Sequence, residues 1–155
     1  MDLEALEQAV KVAVLAAGAT IIEQALAPVG VGRRGEALRC TCGQVMASSG
    51  VCDKGVQTLL GWVRFERSRY QCARCGKVRY PGDEELGIEH TSRSPGIQRQ
   101  VARLGAKQPF REVARDMDEL ACVTISRKDA ERIAEGVGEK MEAWMKKERD
   151  TLRFQ

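Results

Sequence analysis

Histidine is almost missing from this 155-residue chain, where His90 is the only one. Aromatic residues make up 5% and prolines number four. A single histidine in an acidic stretch reads as solvated rather than catalytic, and no cysteine has a histidine or acidic partner placed for nucleophilic catalysis. With so few aromatics, any core is built mainly from Val, Leu, Ile and Ala. No phosphate-cradling GxxxxGK[ST] loop occurs. The acids lie at helix ends, in one short stretch and along a final charged helix, not on the separate rigid supports that catalytic carboxylates need. No apolar run approaches the roughly 18 residues of a membrane span. The first helix is broken by Asp2, Glu4, Glu7 and Lys11, and it lacks the basic start and cleavage site of a secretory signal. The expectation is a cytoplasmic protein with no membrane partner, in which cysteines ligate metal more readily than they form disulfides.

What the chain does have is cysteine in pairs. Cys40-Thr41-Cys42-Gly43 and Cys72-Ala73-Arg74-Cys75-Gly76 hold four of the six cysteines, with 29 residues between Cys42 and Cys72. Four thiolates make a closed tetrahedral site for Zn²⁺, and such a site holds together a segment too short for a core of its own. The glycine after each pair suits a sharp turn, because glycine accepts positive φ. The two-residue gap of Cys72/Cys75 is the usual knuckle spacing; the one-residue gap of Cys40/Cys42 is less usual. Of the others, Cys52 is an alternative ligand should Cys40 or Cys42 be poorly placed, and Cys122 reads as a small buried apolar residue.

The net charge is only +3, but it is unevenly spread. Residues 33–82 carry ten Lys/Arg against three acids, a surplus of seven. Four thiolates and one Zn²⁺ would lower that surplus by two. Residues 93–115 carry six bases against Glu112, a surplus of five. Between them, residues 83–92 carry four acids. Two basic surfaces of this kind suit phosphate backbones, although charge runs are ordinarily solvated faces.

Residues 2–27 read as an amphipathic helix, with Leu3, Leu6, Val10, Val14, Ala17, Ile21 and Ala25 at three- and four-residue steps. Asp2 caps it, and Pro28 and Gly30 stop it. A Gly/Arg linker over 30–37 leads to the first cysteine pair. Then Val56, Thr58 and Leu60 alternate, Gly61 turns the chain, and Val63 and Phe65 resume the alternation as a hairpin. Arg64, Glu66 and Arg67 are expected on its open surface. Knuckle, hairpin and knuckle together are the layout of a zinc ribbon, closed by Pro81-Gly82. Ser94-Pro95 begins a helix striped by Ile97, Val101 and Leu104 and ended by Gly105. Pro109 begins another, with Phe110, Val113, Ala114 and Met117 inward. Ser126-Arg127-Lys128-Asp129 has the form of a capping box before Ala130, Ile133, Ala134 and Val137. Two short helices of this kind are the outline of a helix-turn-helix. A separate last helix runs from about Gly138 to Arg153, with Met141, Trp144, Met145 and Leu152 on one side.

The stretch TLLGWVRFERSRYQCARCG, followed by PGDEELGIEHTSRSPGIQRQVARLGAKQPFREVARDMDEL, resembles ISKra-type insertion-sequence transposases. The resemblance starts near RCTCGQVM and extends to about residue 138. It rests on Cys40/Cys42, Thr58-Leu59-Leu60-Gly61, Arg69-Tyr70, Cys72/Cys75 and the Pro81–Gly87 link, in that order. A one-residue gap in the first pair recurs in that family. The resemblance implies a region that recognises transposon ends, placed before an RNase H-like domain that works through acidic residues and divalent metal. This sequence stops at Gln155, so no catalytic residue carries over and the chain is expected not to be an enzyme.

The resulting expectation is an α+β chain: an N-terminal helix over 1–30, a zinc-ribbon-like module over 31–82, an acidic linker over 83–93, a helix-turn-helix-like bundle over 94–138 and a C-terminal helix over 139–155. Zn²⁺ is the expected cofactor, held by Cys40, Cys42, Cys72 and Cys75. Double-stranded DNA is the expected partner, with a second copy or a full-length transposase as further partners. Arg64, Arg67, Arg69, Arg99, Arg103, Lys107, Arg111, Arg127, Lys128 and Arg132 are the candidate DNA contacts. Two rival readings use the same residues. One is a protein–protein adaptor working through the first and last helices. The other is a rubredoxin-like electron carrier, since iron also accepts tetrahedral sulfur.

Overall fold

The computed structural model describes residues 2–27, 32–33 and 35–153, with no side chain described for 152 or 153. Pro28 and Gly30, the expected helix stop, lie outside the described residues, as does part of the Gly/Arg linker. The fold is α+β. Helix α1 (Leu3–Leu26) precedes strands β1 (Ala37–Arg39), β2 (Val45–Thr58), β3 (Gly61–Cys72) and β4 (Val78–Arg79). Helices α2 (Pro81–Glu85), α3 (Pro95–Gly105), α4 (Phe110–Ala121) and α5 (Arg127–Arg153) follow. The chain divides into two compact units, Met1–Pro95 and Gly96–Gln155.

In the first unit the strands form one antiparallel sheet in chain order. Its body is the long β2–β3 hairpin, closed by the two-residue loop Leu59-Leu60 between the paired residues Thr58 and Gly61. The Thr58 hydroxyl accepts from the Leu60 N–H at 3.1 Å and donates to the Gly61 carbonyl at 2.9 Å, which fixes that loop. The expected hairpin is therefore present, but β2 starts eleven residues earlier than Val56, at Val45.

The extra length has a structural consequence. Strand side chains alternate between faces, so on β3 Val63, Phe65 and Arg67 share one face, while Ser68, Tyr70 and Cys72 share the other. On β2 the register shifts between Ser48 and Val51. This irregularity flips the parity, so Met46 and Ser48 face with Tyr70 and Cys72, whereas Cys52, Lys54 and Val56 face with Val63, Phe65 and Arg67. Two small cores result. One holds Cys40, Met46, Tyr70 and Cys72. The other holds Ala19, Val56, Val63, Phe65 and Ile88, with Ile22, Leu26, Leu60 and Leu86 packed against it.

Helix α1 begins as expected, with the Asp2 carboxylate accepting from the Glu4 N–H at 3.1 Å. Its second half packs on the hairpin: Ala19 is buried, and Glu23 accepts from the Arg64 backbone N–H at 2.6 Å. Its first half does not, leaving Leu3, Leu6, Val10, Val12 and Val14 exposed. The expectation that no segment reaches membrane-spanning length is corrected here. By length and composition α1 is apolar enough to cross a bilayer, because its acids sit near the two ends and only Lys11 carries charge between them.

Residues 83–93, expected as an acidic linker, are folded into this unit. Asp83 and Ile88 are buried. Gln57 donates its backbone N–H to Ser92 at 2.8 Å and accepts from the Ser94 N–H at 2.9 Å.

The second unit contains α3, α4 and α5. Ile97 and Val101 of α3 and Val113 and Met117 of α4 are buried, as the stripes require, and Val123, Ile125 and Ala130 join them. Ser126 caps α5, its hydroxyl accepting from the Asp129 N–H at 3.0 Å. Two expectations change. Cys122 is exposed and is the left-handed cap of α4 at φ 54, with its N–H bound to the Met117 carbonyl. The last two expected helices are one, since α5 continues through Gly136 and Gly138 for 27 residues. Met141, Trp144 and Met145 on its second half are exposed.

Candidate metal centre

The two cysteine pairs sit at matching places. Cys40 follows β1 and Cys72 ends β3; each pair lies in the turn that leads into the next strand. In the first turn the Cys40 N–H donates to the Gln44 carbonyl at 2.8 Å, and the Gly43 N–H donates to the Cys40 carbonyl at 3.0 Å. In the second, the Cys72 N–H donates to the Lys77 carbonyl and the Gly76 N–H to the Cys72 carbonyl, both at 2.9 Å. Gly43 at φ +85 and Gly76 at φ +71 occupy the left-handed region that the sequence reading assigned to them. Pairing of Met46 with Cys72 then draws the two turns together.

The result is a cluster of four sulfurs. Cys40 Sγ lies 3.6 Å from Cys75 Sγ, and Cys42 Sγ lies 3.6 Å from Cys72 Sγ. All four lie within 4.8 Å of one another. Zn–S bonds of about 2.3 Å in a tetrahedron require S–S edges of about 3.8 Å, so the donor set fits a tetrahedral ion after a modest contraction of the longer pairs. Cys40 and Cys72 are buried, while Cys42 and Cys75 are exposed and leave an entry path. Cys52 stands in β2 opposite Arg67, outside this group.

The backbone prepares two of the thiols for ligation. The Cys42 N–H holds the Cys40 thiol down at about 6, against burial that would raise it. The Cys75 N–H lowers Cys72 in the same way. Cys42 itself has the Gln44 N–H to lower it, but the neighbouring Cys40 sulfur and burial outweigh this and push it up to about 11. Cation binding would displace the thiol protons that remain.

The candidate DNA contacts divide. Arg64, Arg99, Arg103, Lys107, Arg111, Arg127, Lys128 and Arg132 are exposed, and Arg69 is half-buried with a 3.2 Å bond to Gln71. Arg99 and Arg103 stand one turn apart on α3, and Arg127 and Lys128 open α5. Arg67 is the correction. It is not on the open surface: its side chain is 15% exposed, lies 3.7 Å over the Tyr80 ring and is paired with Asp83. The parity that turned Val63 and Phe65 inward turned Arg67 inward too. Asp83, a residue the sequence reading left in a linker, is the anchor for both Arg67 and Lys54, the latter at 3.0 Å.

Comparison with models of protein families, with curated proteins and with solved structures found no match.

Proposed function

We propose that this chain is a zinc-stabilised DNA-binding module, corresponding to the end-recognition part of an ISKra-type transposase and working in the cytoplasm. The observation that carries the reading is the cluster of four sulfurs at one end of a β-hairpin, an arrangement that suits a zinc ribbon. Zinc would supply the cross-link that this end of the sheet otherwise lacks.

Further support comes from where the cations sit. Arg127 and Lys128 occupy the first turn of α5, where the helix dipole disfavours positive charge, so helix stability does not account for them. In a helix-turn-helix reading, α4 and α5 are the two helices, and the start of α5 presents Arg127 and Lys128 to base edges. Arg99, Arg103, Lys107 and Arg111 would neutralise phosphates, releasing counterions.

The test is a fluorescence-anisotropy titration of labelled duplex DNA with zinc-loaded protein. Raising salt from 50 to 200 mM should weaken binding by about a thousandfold if some six phosphate contacts form, and Arg127→Ala with Lys128→Ala should weaken it further. Absence of salt-sensitive binding sinks the proposal. It would favour the adaptor reading, which draws on the exposed Met141, Trp144 and Met145. An iron-loaded, red protein would instead favour the electron carrier.

A further inference from the structure

One cavity of about 430 Å³ lies beside the metal cluster, between β4, α2 and the face of the hairpin that carries Lys54 and Arg67. It is walled by charge. Lys54, Arg67, Lys77 and Arg79 contribute four cations; Asp83, Glu84 and Glu89 contribute three carboxylates; His90 and Thr41 complete the polar lining.

These charges are not evenly matched. Glu84 is committed to Arg79, which grips it through two nitrogens at 2.9 and 2.7 Å. Asp83 alone serves two cations, since Lys54 and Arg67 both bind its Oδ2 atom. Lys54 is 11% exposed and also donates to the Ile88 carbonyl at 2.9 Å, and Arg67 is 15% exposed, so two largely buried cations share a single buried carboxylate, while the third acid of the lining, Glu89, is exposed. A buried charge without a counter-charge is unfavourable unless another ligand supplies it. Lys77 is exposed, and its ammonium donates to the Thr41 hydroxyl at 3.4 Å.

We propose that this cavity is a phosphate-binding site. Lys77 and the Thr41 hydroxyl would donate to phosphate oxygens at the mouth, and the surplus positive charge of Lys54 and Arg67 would stabilise the anion from the wall. Ammonium, guanidinium and hydroxyl donors converging in this way suit phosphate. The volume admits a phosphate together with the group that carries it, within the size range of small-ligand pockets. Because Thr41 lies between Cys40 and Cys42, and Lys77 lies two residues after Cys75, metal loading would set the geometry of the mouth. The site goes beyond the DNA-binding reading and stands whether or not α5 contacts bases. Its phosphate has two sources, a strand of nucleic acid or a free phosphomonoester.

The experiment is a ¹⁵N-resolved NMR titration of the full zinc-loaded chain with inorganic phosphate at constant ionic strength, then with a mononucleotide, then with duplex DNA. Saturable shifts of the Thr41, Lys77 and His90 amides are expected. Lys77→Gln, a change at an exposed position, should weaken the phosphate response about tenfold without altering the zinc content. Duplex-induced shifts at these amides that phosphate competes away identify a strand as the source; shifts with mononucleotide but none with duplex identify a free monoester. Equal shifts with chloride, shifts that never saturate and spread over all basic residues, or a Lys77→Gln protein that responds like the parent would overturn the site. The DNA reading fails separately, on its own salt titration.

Discussion

The metal end of the sheet and the three-helix unit solve the same problem in opposite ways. The helices bury Ile97, Val101, Val113, Met117 and Val123 against one another, with no ion needed to bring them together. The sheet's metal end buries only Met46 and Tyr70 beside two of its cysteines, helped by Leu38. That is little apolar surface to fix two turns separated by a long hairpin, and a metal held by the four sulfurs would supply a cross-link there. Burial energy is spread over many small contacts; coordination is concentrated in four bonds. The two regions should therefore fail differently.

The largest contrast comes from removing the ion. Cys72→Ser, or a strong chelator, should reduce bound zinc from about one per chain to near zero and unfold residues 38–82 around the turns, while the amide spectrum of residues 96–153 stays folded; structural zinc is worth on the order of 10–16 kcal/mol. A hairpin that stays ordered with no metal would break the comparison.

Next in size is Asp83→Ala. It strands Lys54 and Arg67 in a buried setting, and breaking such a pair costs about 3–5 kcal/mol. Denaturant melts should show the loss in the sheet unit, with zinc stoichiometry unchanged and the helices untouched. Met117→Ala is the matching insult to the helical unit, expected to cost about 2–5 kcal/mol through the cavity it leaves, again with full zinc. If it also released the metal, the two units would not be separable. The smallest effect belongs to Ser126→Ala, which removes the α5 cap and should cost about 1 kcal/mol, seen as a small drop in the melting temperature of the helical unit alone.

Much of this was legible in the residues. The glycine that closes each cysteine pair marked a left-handed turn, and both turns are there. Ile97 and Val101, like Val113 and Met117, fell at helical spacing, and they are buried. Ser126 stood where a cap belongs. What was not legible depended on context. Gly138 looked like a helix boundary, yet α5 runs through it, because a glycine in a helix costs only about 1 kcal/mol and does not break it. Cys122 looked like a core residue, but the chain needs a left-handed cap at that point. Lys11 and the acids near the ends of α1 looked sufficient to interrupt it, but charge near helix ends leaves the middle apolar.

The sequence alone pointed to the two cysteine pairs and determined their closing turns, because metal chemistry and positive φ each admit few residue types, while the structure set Cys52 apart from the cluster. It also determined the apolar stripes, because a helix has one period. Only the tertiary structure decided which hairpin side chains face which core. That choice depends on the register shift between Ser48 and Val51, a pairing between distant residues that no local pattern encodes. The same shift set Lys54 and Arg67 on one face, where a single carboxylate from a segment that looked like linker meets them both.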